Sequence, residues 1–161
     1  MYKVGDYIVY RRDVCKITGT KTNSITKMDY YLLTPIDDDS LKMEVPVDNR
    51  CGYLRDLISK EKVEEIIDKI PTIEAITCPD KMIEYEYKKL MNSGNHEDLV
   101  RIIKTTYLRN QKRIDAKKKI SDKDHHYFMQ AEKYLYNEFG TVLGISYEEA
   151  KQYVISIVEG K

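Results

Sequence analysis

From Arg101 to Lys119 the chain carries eight cations: Arg101, Lys104, Arg109, Lys112, Arg113, Lys117, Lys118 and Lys119. One acid, Asp115, stands against them. Positions 101, 104, 109, 112 and 113 share the solvent face of a helix whose other face is apolar. Such a stripe attracts a phosphate backbone. The competing reading is a solvated helix face, which is what most charge runs are. His125 and His126 are adjacent, and helix neighbours do not converge on one ion. No Cys or acid stands at a matching spacing, so no metal site is expected. Asp122 and Asp124 read as first-turn acids favoured by the helix dipole. Asp37, Asp38 and Asp39 lack the spaced ligands of a calcium loop and read as a solvated turn. Cys15 lies in a strand pattern and reads as a small core residue. There is no glycine-rich phosphate loop, no nucleophile elbow and no acid/base pair. No enzyme and no cofactor are expected from these residues.

The whole chain must position that stripe. With 161 residues it makes one or two small domains. Lys+Arg and Asp+Glu are both 27, so only local clusters, not net charge, speak for a nucleic acid. Three cysteines at wide spacing (Cys15, Cys51, Cys78) argue against a disulfide framework and for a reducing, cytoplasmic setting. No apolar run approaches the roughly 18 residues of a membrane span. The N-terminus lacks the apolar core of a signal peptide. The 14 tyrosines, each with an apolar ring and a polar tip, are expected to sit half exposed in part.

The first third reads as strands. Val4-Gly5-Asp6 is a tight turn before the strand Tyr7–Tyr10. Val14–Ile17 is a second strand, followed by a turn around Gly19 and on to Asn23-Ser24. Met28–Leu33 is a third, ending at Pro35. Leu41, Met43, Val45 and Val47 alternate with Lys42, Glu44, Pro46 and Asp48, the cleanest period-two pattern in the chain. Pro46 cannot donate to a ladder and marks an edge or a bulge. These strands predict a small curled sheet or barrel with a core of Val4, Ile8, Tyr10, Ile17, Tyr30, Leu32, Met43, Val45 and Val47.

From Ser59 the period becomes helical, with Val63, Ile66, Ile67 and Ile70 on one face and Pro71 as the stop. Residues 71–79, with two prolines, read as a linker. A helix follows from about Asp80 to Met91. The next is capped by Asn95, with Asp98 placed for a capping-box-like pair, and carries Leu99, Ile102, Ile103 and Tyr107 inward. Another is capped by Ser121 and bears Phe128, Ala131, Leu135 and Phe139. The last opens on a Ser146–Glu149 capping box and bears Ala150, Tyr153, Val154, Ile157 and Val158. The expected architecture is α+β: a small β module followed by an all-helical part.

In order and spacing, Tyr2 to Tyr10, Cys15-Lys16-Ile17, Tyr30 to Leu33 and Val45 to Asn49 resemble the N-terminal module of the CarD/CdnL family of bacterial transcription regulators. Further on, Lys89 to Asn95, Tyr107 to Gln111 and Ile120-Ser121 resemble stretches of the family's helical part. The resemblance covers nearly the whole chain. It implies a Tudor/SH3-like β module (about 1–55) that docks on the β subunit of RNA polymerase. It also implies a compact helical domain (about 59–161) that touches promoter DNA in the minor groove without reading sequence. In the family a Trp wedges into the groove at the upstream edge of the bubble and props the melted state open. On this resemblance Lys21, Glu44, Val45 and Pro46 fall at polymerase-contacting positions. Pro79, Lys81, Lys104, Arg109 and His125 fall at DNA-contacting ones, and Arg101 of the basic stripe is expected to join them. The chain has no Trp, and its place is taken by Pro79. Basic family positions hold Glu44 and Glu84, and His125 stands where Lys is common. The turn between the first two strands is shortened to Arg11-Arg12-Asp13. The expected function is a transcriptional regulator that modulates open-complex stability as a monomer, with no membrane partner. The alternative is an adaptor that binds polymerase or another protein without touching DNA.

Overall fold

The computed structural model describes residues 2–160. The chain divides into two compact units between Ile58 and Ser59. The first holds strands β1 (Tyr7–Tyr10), β2 (Asp13–Thr22), β3 (Asp29–Pro35), β4 (Met43–Pro46) and β5 (Leu54–Asp56). The second holds helices α1 (Lys60–Lys69), α2 (Ile83–Asn92), α3 (His96–Asp115), α4 (Asp122–Leu143) and α5 (Tyr147–Val158). The α+β architecture expected from the sequence is the one found.

The β unit is one antiparallel sheet in the order β4-β3-β2-β1-β5. Gly5, at φ 97°, makes the opening turn and donates to the Ile17 carbonyl at 2.8 Å, while the Asp6 carboxylate accepts from Lys3 N at 2.8 Å. The two edges, β4 and β5, share no ladder among the described residues. Asn49, in the loop that joins them, fixes the start of β5. Its side-chain amide donates to the Leu54 carbonyl and accepts from Leu54 N, both at 3.0 Å. One side chain thus satisfies both backbone groups of Leu54 that no strand pairs from the β4 side.

Three expectations for this unit are corrected. Gly19 is not a turn. β2 runs through it with a bulge between Ile17 and Gly19, and the chain turns later, where the Asn23 carboxamide accepts from Ile25 N and Thr26 N. Tyr30 and Leu32 do not face the core; Tyr31 and Leu33 do. Tyr-Tyr-Leu-Leu is apolar at both parities, so alternation alone could not choose. Register chooses: Tyr31 pairs with Val45 and Leu33 with Met43, and paired residues share a face. Val4 is 61% exposed, because it sits at the corner of the opening turn. The remaining core is as expected, with Ile8, Ile17 and Val45 buried and Tyr10, Met43 and Val47 packed against them.

In the helical unit Ser121 and Ser146 cap their helices as expected, Ser146 with Glu149 forms the full box, and Ser59 also caps α1 by accepting from Lys62 N. The Asn95 side chain accepts from Glu97 N. Tyr107 is only half-buried, and Tyr153 is exposed at the outer side of the last helix. Residues 71–79 are not a loose linker. Ile73 is buried, Ile76 N donates to Thr105 Oγ1 at 2.8 Å, and two short helical turns (Ile70–Thr72 and Asp80–Met82) flank the segment. The prolines shape the backbone here without freeing it, because α3 supplies hydrogen-bond partners. No helix is long and apolar enough to cross a membrane among the described residues.

Candidate functional site

On the β unit, Lys21 and Glu44 meet as an ion pair, Nζ to Oε1 at 3.0 Å, with both side chains about half exposed. They reach across β3, diagonally over Tyr30 and Leu32, whose outward parity leaves them on that face. The Glu44 carboxylate thus holds the cation expected to contact polymerase. Val45 is placed differently from Lys21 and Glu44. Its side chain is core, 6% exposed, so only the main chain of the β4 edge can offer it to a partner. Pro46 is half-buried and lines an apolar groove of about 280 Å³ with Tyr10, Met28, Val45 and Tyr53, closed on one side by the 48–51 turn. Tyr10 and Tyr53 pack edge to face at 6.1 Å, and the Arg11 guanidinium lies 4.4 Å over the Tyr53 ring. Arg11 takes φ 59° in the shortened β1–β2 turn and donates its N–H to the Tyr53 carbonyl at 2.8 Å. Sequence reading missed Tyr53 and Asn49. The available signal was a tyrosine beside Gly52 in a polar stretch too short to bury it.

On the helical unit the expected cationic face is split. Lys104 is not on the solvent face. Its ammonium donates to the carbonyls of Ile70 and Ile73, each at 2.8 Å, and burial pushes its pKa down. It completes the end of α1 and the turn after it, where helix carbonyls lack partners. Arg109 is also drawn inward. Its Nε donates to Asp124 Oδ2 at 3.1 Å and one terminal nitrogen donates to Asp80 Oδ1 at 3.0 Å. Burial alone would lower its pKa, and the two carboxylates more than offset that, leaving it raised. Asp124 is buried and also accepts from the Tyr87 hydroxyl at 2.9 Å. Burial and Asp124 together push the Tyr87 phenol well above its ordinary range. Asp124 is therefore a network centre as well as a first-turn acid. Arg101 is half-buried, and His125, Lys81 and Pro79 are exposed. Pro79 precedes the short turn that Asp80 opens, so the Arg109–Asp80 pair sets this stretch against α3.

Beyond Arg109 the cations do converge. Asp80, Arg109, Lys112, Arg113 and Lys118 line an open cleft of about 350 Å³. Lys112 and Arg113 stand three and four residues after Arg109, on the same helix face. Lys118 is returned by the helix end. Lys117 takes φ 58°, Lys118 N donates to the Arg113 carbonyl and Lys117 N to the Ile114 carbonyl, the paired bonds of a Schellman cap.

A second buried carboxylate, Glu132 of α4, is 0% exposed, and among the described residues neither oxygen has a hydrogen bond of good geometry, the Tyr136 hydroxyl being its polar neighbour in the core. Burial raises its pKa; the Lys151 ammonium, 3.8 Å away, pulls the other way. A carboxyl whose folded pKa is raised is tolerated best when protonated, so its penalty grows as pH rises above the ordinary carboxylate range. Glu132→Met is expected to stabilise the protein at pH 7 by about 1–2 kcal/mol and to lose that advantage near pH 4. Urea titrations at the two pH values check this, and an equal effect at both would rule out a titrating Glu132.

Among the described residues no group of three or more His, Cys, Asp or Glu is placed to hold a metal ion. No curated protein matches the chain. Residues 2–58, the extent of the β unit, match the CarD-like/TRCF RID domain. The β unit is therefore similar to that RNA polymerase-interacting domain, and the match over residues 2–58 is consistent with a CarD/CdnL-like protein in a transcription-related role.

Proposed function

We propose that this chain is a transcriptional regulator whose β unit docks on the RNA polymerase β subunit. In this reading its helical unit touches promoter DNA and lengthens the life of the open complex. The observation that carries the docking half is the RID match over the β unit, together with an exposed β4 edge beside an apolar, tyrosine-lined groove. A partner strand or loop finds main-chain groups on β4 and apolar surface in the groove next to it. The DNA half is supported by the cleft of Arg109, Lys112, Arg113 and Lys118, with the Pro79 turn at its margin. Backbone phosphates neutralise such a cluster, and a proline at the margin is a wedge residue of the kind used by minor-groove binders. No bond is made or broken by the regulator in this reading.

The adaptor reading rests on a specific observation too. Lys104 and Arg109 are engaged internally, and Lys21 is paired with Glu44. The two readings separate in one experiment, the lifetime of open complexes formed by polymerase from the same source on a ribosomal-RNA-type promoter. A severalfold longer lifetime with the protein present is the expected result. An unchanged lifetime, with docking confirmed in the same sample, supports the adaptor.

A further inference from the structure

Arg109 has two unlike carboxylate partners. Asp124 is 1% exposed and fixed among α2, α3 and α4, whereas Asp80 is 88% exposed at the rim of the cleft. The inner contact holds the guanidinium in place, and the outer one occupies the edge that faces the cleft. Lys112, Arg113 and Lys118 share that cleft, and none has a carboxylate partner among the described residues. One exposed carboxylate among four cations, held by a guanidinium, has the charge and geometry of a phosphate oxygen in a phosphate site. An exposed ion pair contributes only about 0–1 kcal/mol, so an incoming phosphate displaces it at little cost.

We propose that Asp80 is an internal competitor, a carboxylate that occupies the phosphate position on Arg109 until a nucleic-acid backbone phosphate replaces it. The proposal rests on the DNA-contact reading and adds a regulatory residue to it. Displacement also releases the Pro79–Lys81 turn from α3, so phosphate capture and mobility of that turn are coupled. Asp80 thereby weakens binding to isolated phosphates. A duplex that engages Lys112, Arg113 and Lys118 together overcomes it.

The test uses the full chain and a fluorescent 20-base-pair duplex, with anisotropy read across a salt series. Asp80→Asn keeps the size of the side chain and removes the competing charge. It is expected to tighten duplex binding about two- to fivefold. Asp115→Asn removes the same charge from α3 outside the cleft and is expected to change binding less than twofold. Lys112→Gln combined with Arg113→Gln is expected to weaken binding and to reduce the salt slope by about two. If Asp80→Asn binds no tighter while the double variant binds more weakly, the DNA reading stands and the competitor is overturned. Equal tightening by Asp115→Asn also overturns it, in favour of net charge. Absence of duplex binding by all variants overturns the reading and the competitor together. A parallel titration with inorganic pyrophosphate separates the sources: tightening there, without duplex binding, overturns the assignment to nucleic acid. Unchanged melting of Asp80→Asn confirms that the readings compare folded proteins, as expected for so exposed a side chain.

Discussion

Replacing Asp124 by Ala is expected to lower the unfolding free energy by about 3–5 kcal/mol, the cost of removing one partner from a buried charge pair. The carboxylate takes the Tyr87 hydroxyl at 2.9 Å and the Arg109 Nε at 3.1 Å, and its own side chain is 1% exposed. Its loss leaves the Arg109 Nε and the buried Tyr87 hydroxyl facing each other without an acceptor, while Asp80 still accepts from one terminal nitrogen of Arg109. It also loosens α2, α3 and α4 at one point, since each contributes one of the three side chains. Asp124→Asn should cost less, because the amide still offers one acceptor oxygen. Urea unfolding followed by circular dichroism, with unchanged slope, is the measurement. A loss below about 1 kcal/mol would show that solvent or a repacked neighbour replaces the carboxylate. The same geometry bears on DNA-binding experiments. Arg109→Glu sets a second carboxylate against Asp124, so lost DNA binding in that variant reports lost structure. Lys112, Arg113 and Lys118 are the substitutions that probe contact without that confusion.

The second large effect is expected in the β unit. Asn49→Ala removes both hydrogen bonds to Leu54 and replaces a residue type that tolerates φ 50° with one that does not. Two part-buried backbone groups lose their partner, at a cost of about 1–3 kcal/mol. Asn49→Asp should cost at least as much, because its second oxygen faces the Leu54 carbonyl where the amide donated. Asn49 also lines the groove beside Val45, Pro46 and Tyr53. In the proposed docking function, loss of the bonds to Leu54 loosens the 48–53 loop beside the groove and is expected to weaken binding to a polymerase β fragment about tenfold or more. Calorimetric binding beside thermal unfolding separates the two effects. Retained stability with lost binding would make Asn49 a contact residue. Lost stability with intact binding would place the docking surface elsewhere on the unit.

Much of this protein was legible in the order of its residues. The change from period two to period 3.6 at Ser59 marks the point where the two units divide, because sheet and helix present buried faces at different spacings. Ser121 and Ser146 announced their helices, since capping is a contact over three residues that local sequence specifies. The cationic run after Arg101 was equally plain.

Tertiary structure alone decided how those cations are used. Nothing near Lys104 in the chain foretells that its ammonium caps carbonyls more than thirty residues away. Nothing near Arg109 names Asp80 and Asp124 as its partners. The inward parity of Tyr31 and Leu33 likewise came from pairing with β4, not from Tyr-Tyr-Leu-Leu itself. The physical reason is common to all three. Periodicity and caps depend on the backbone's own repeat, which sequence carries locally. A charge's partner and a strand's face depend on which distant segment the fold lays against them, and that is set only when the whole core closes.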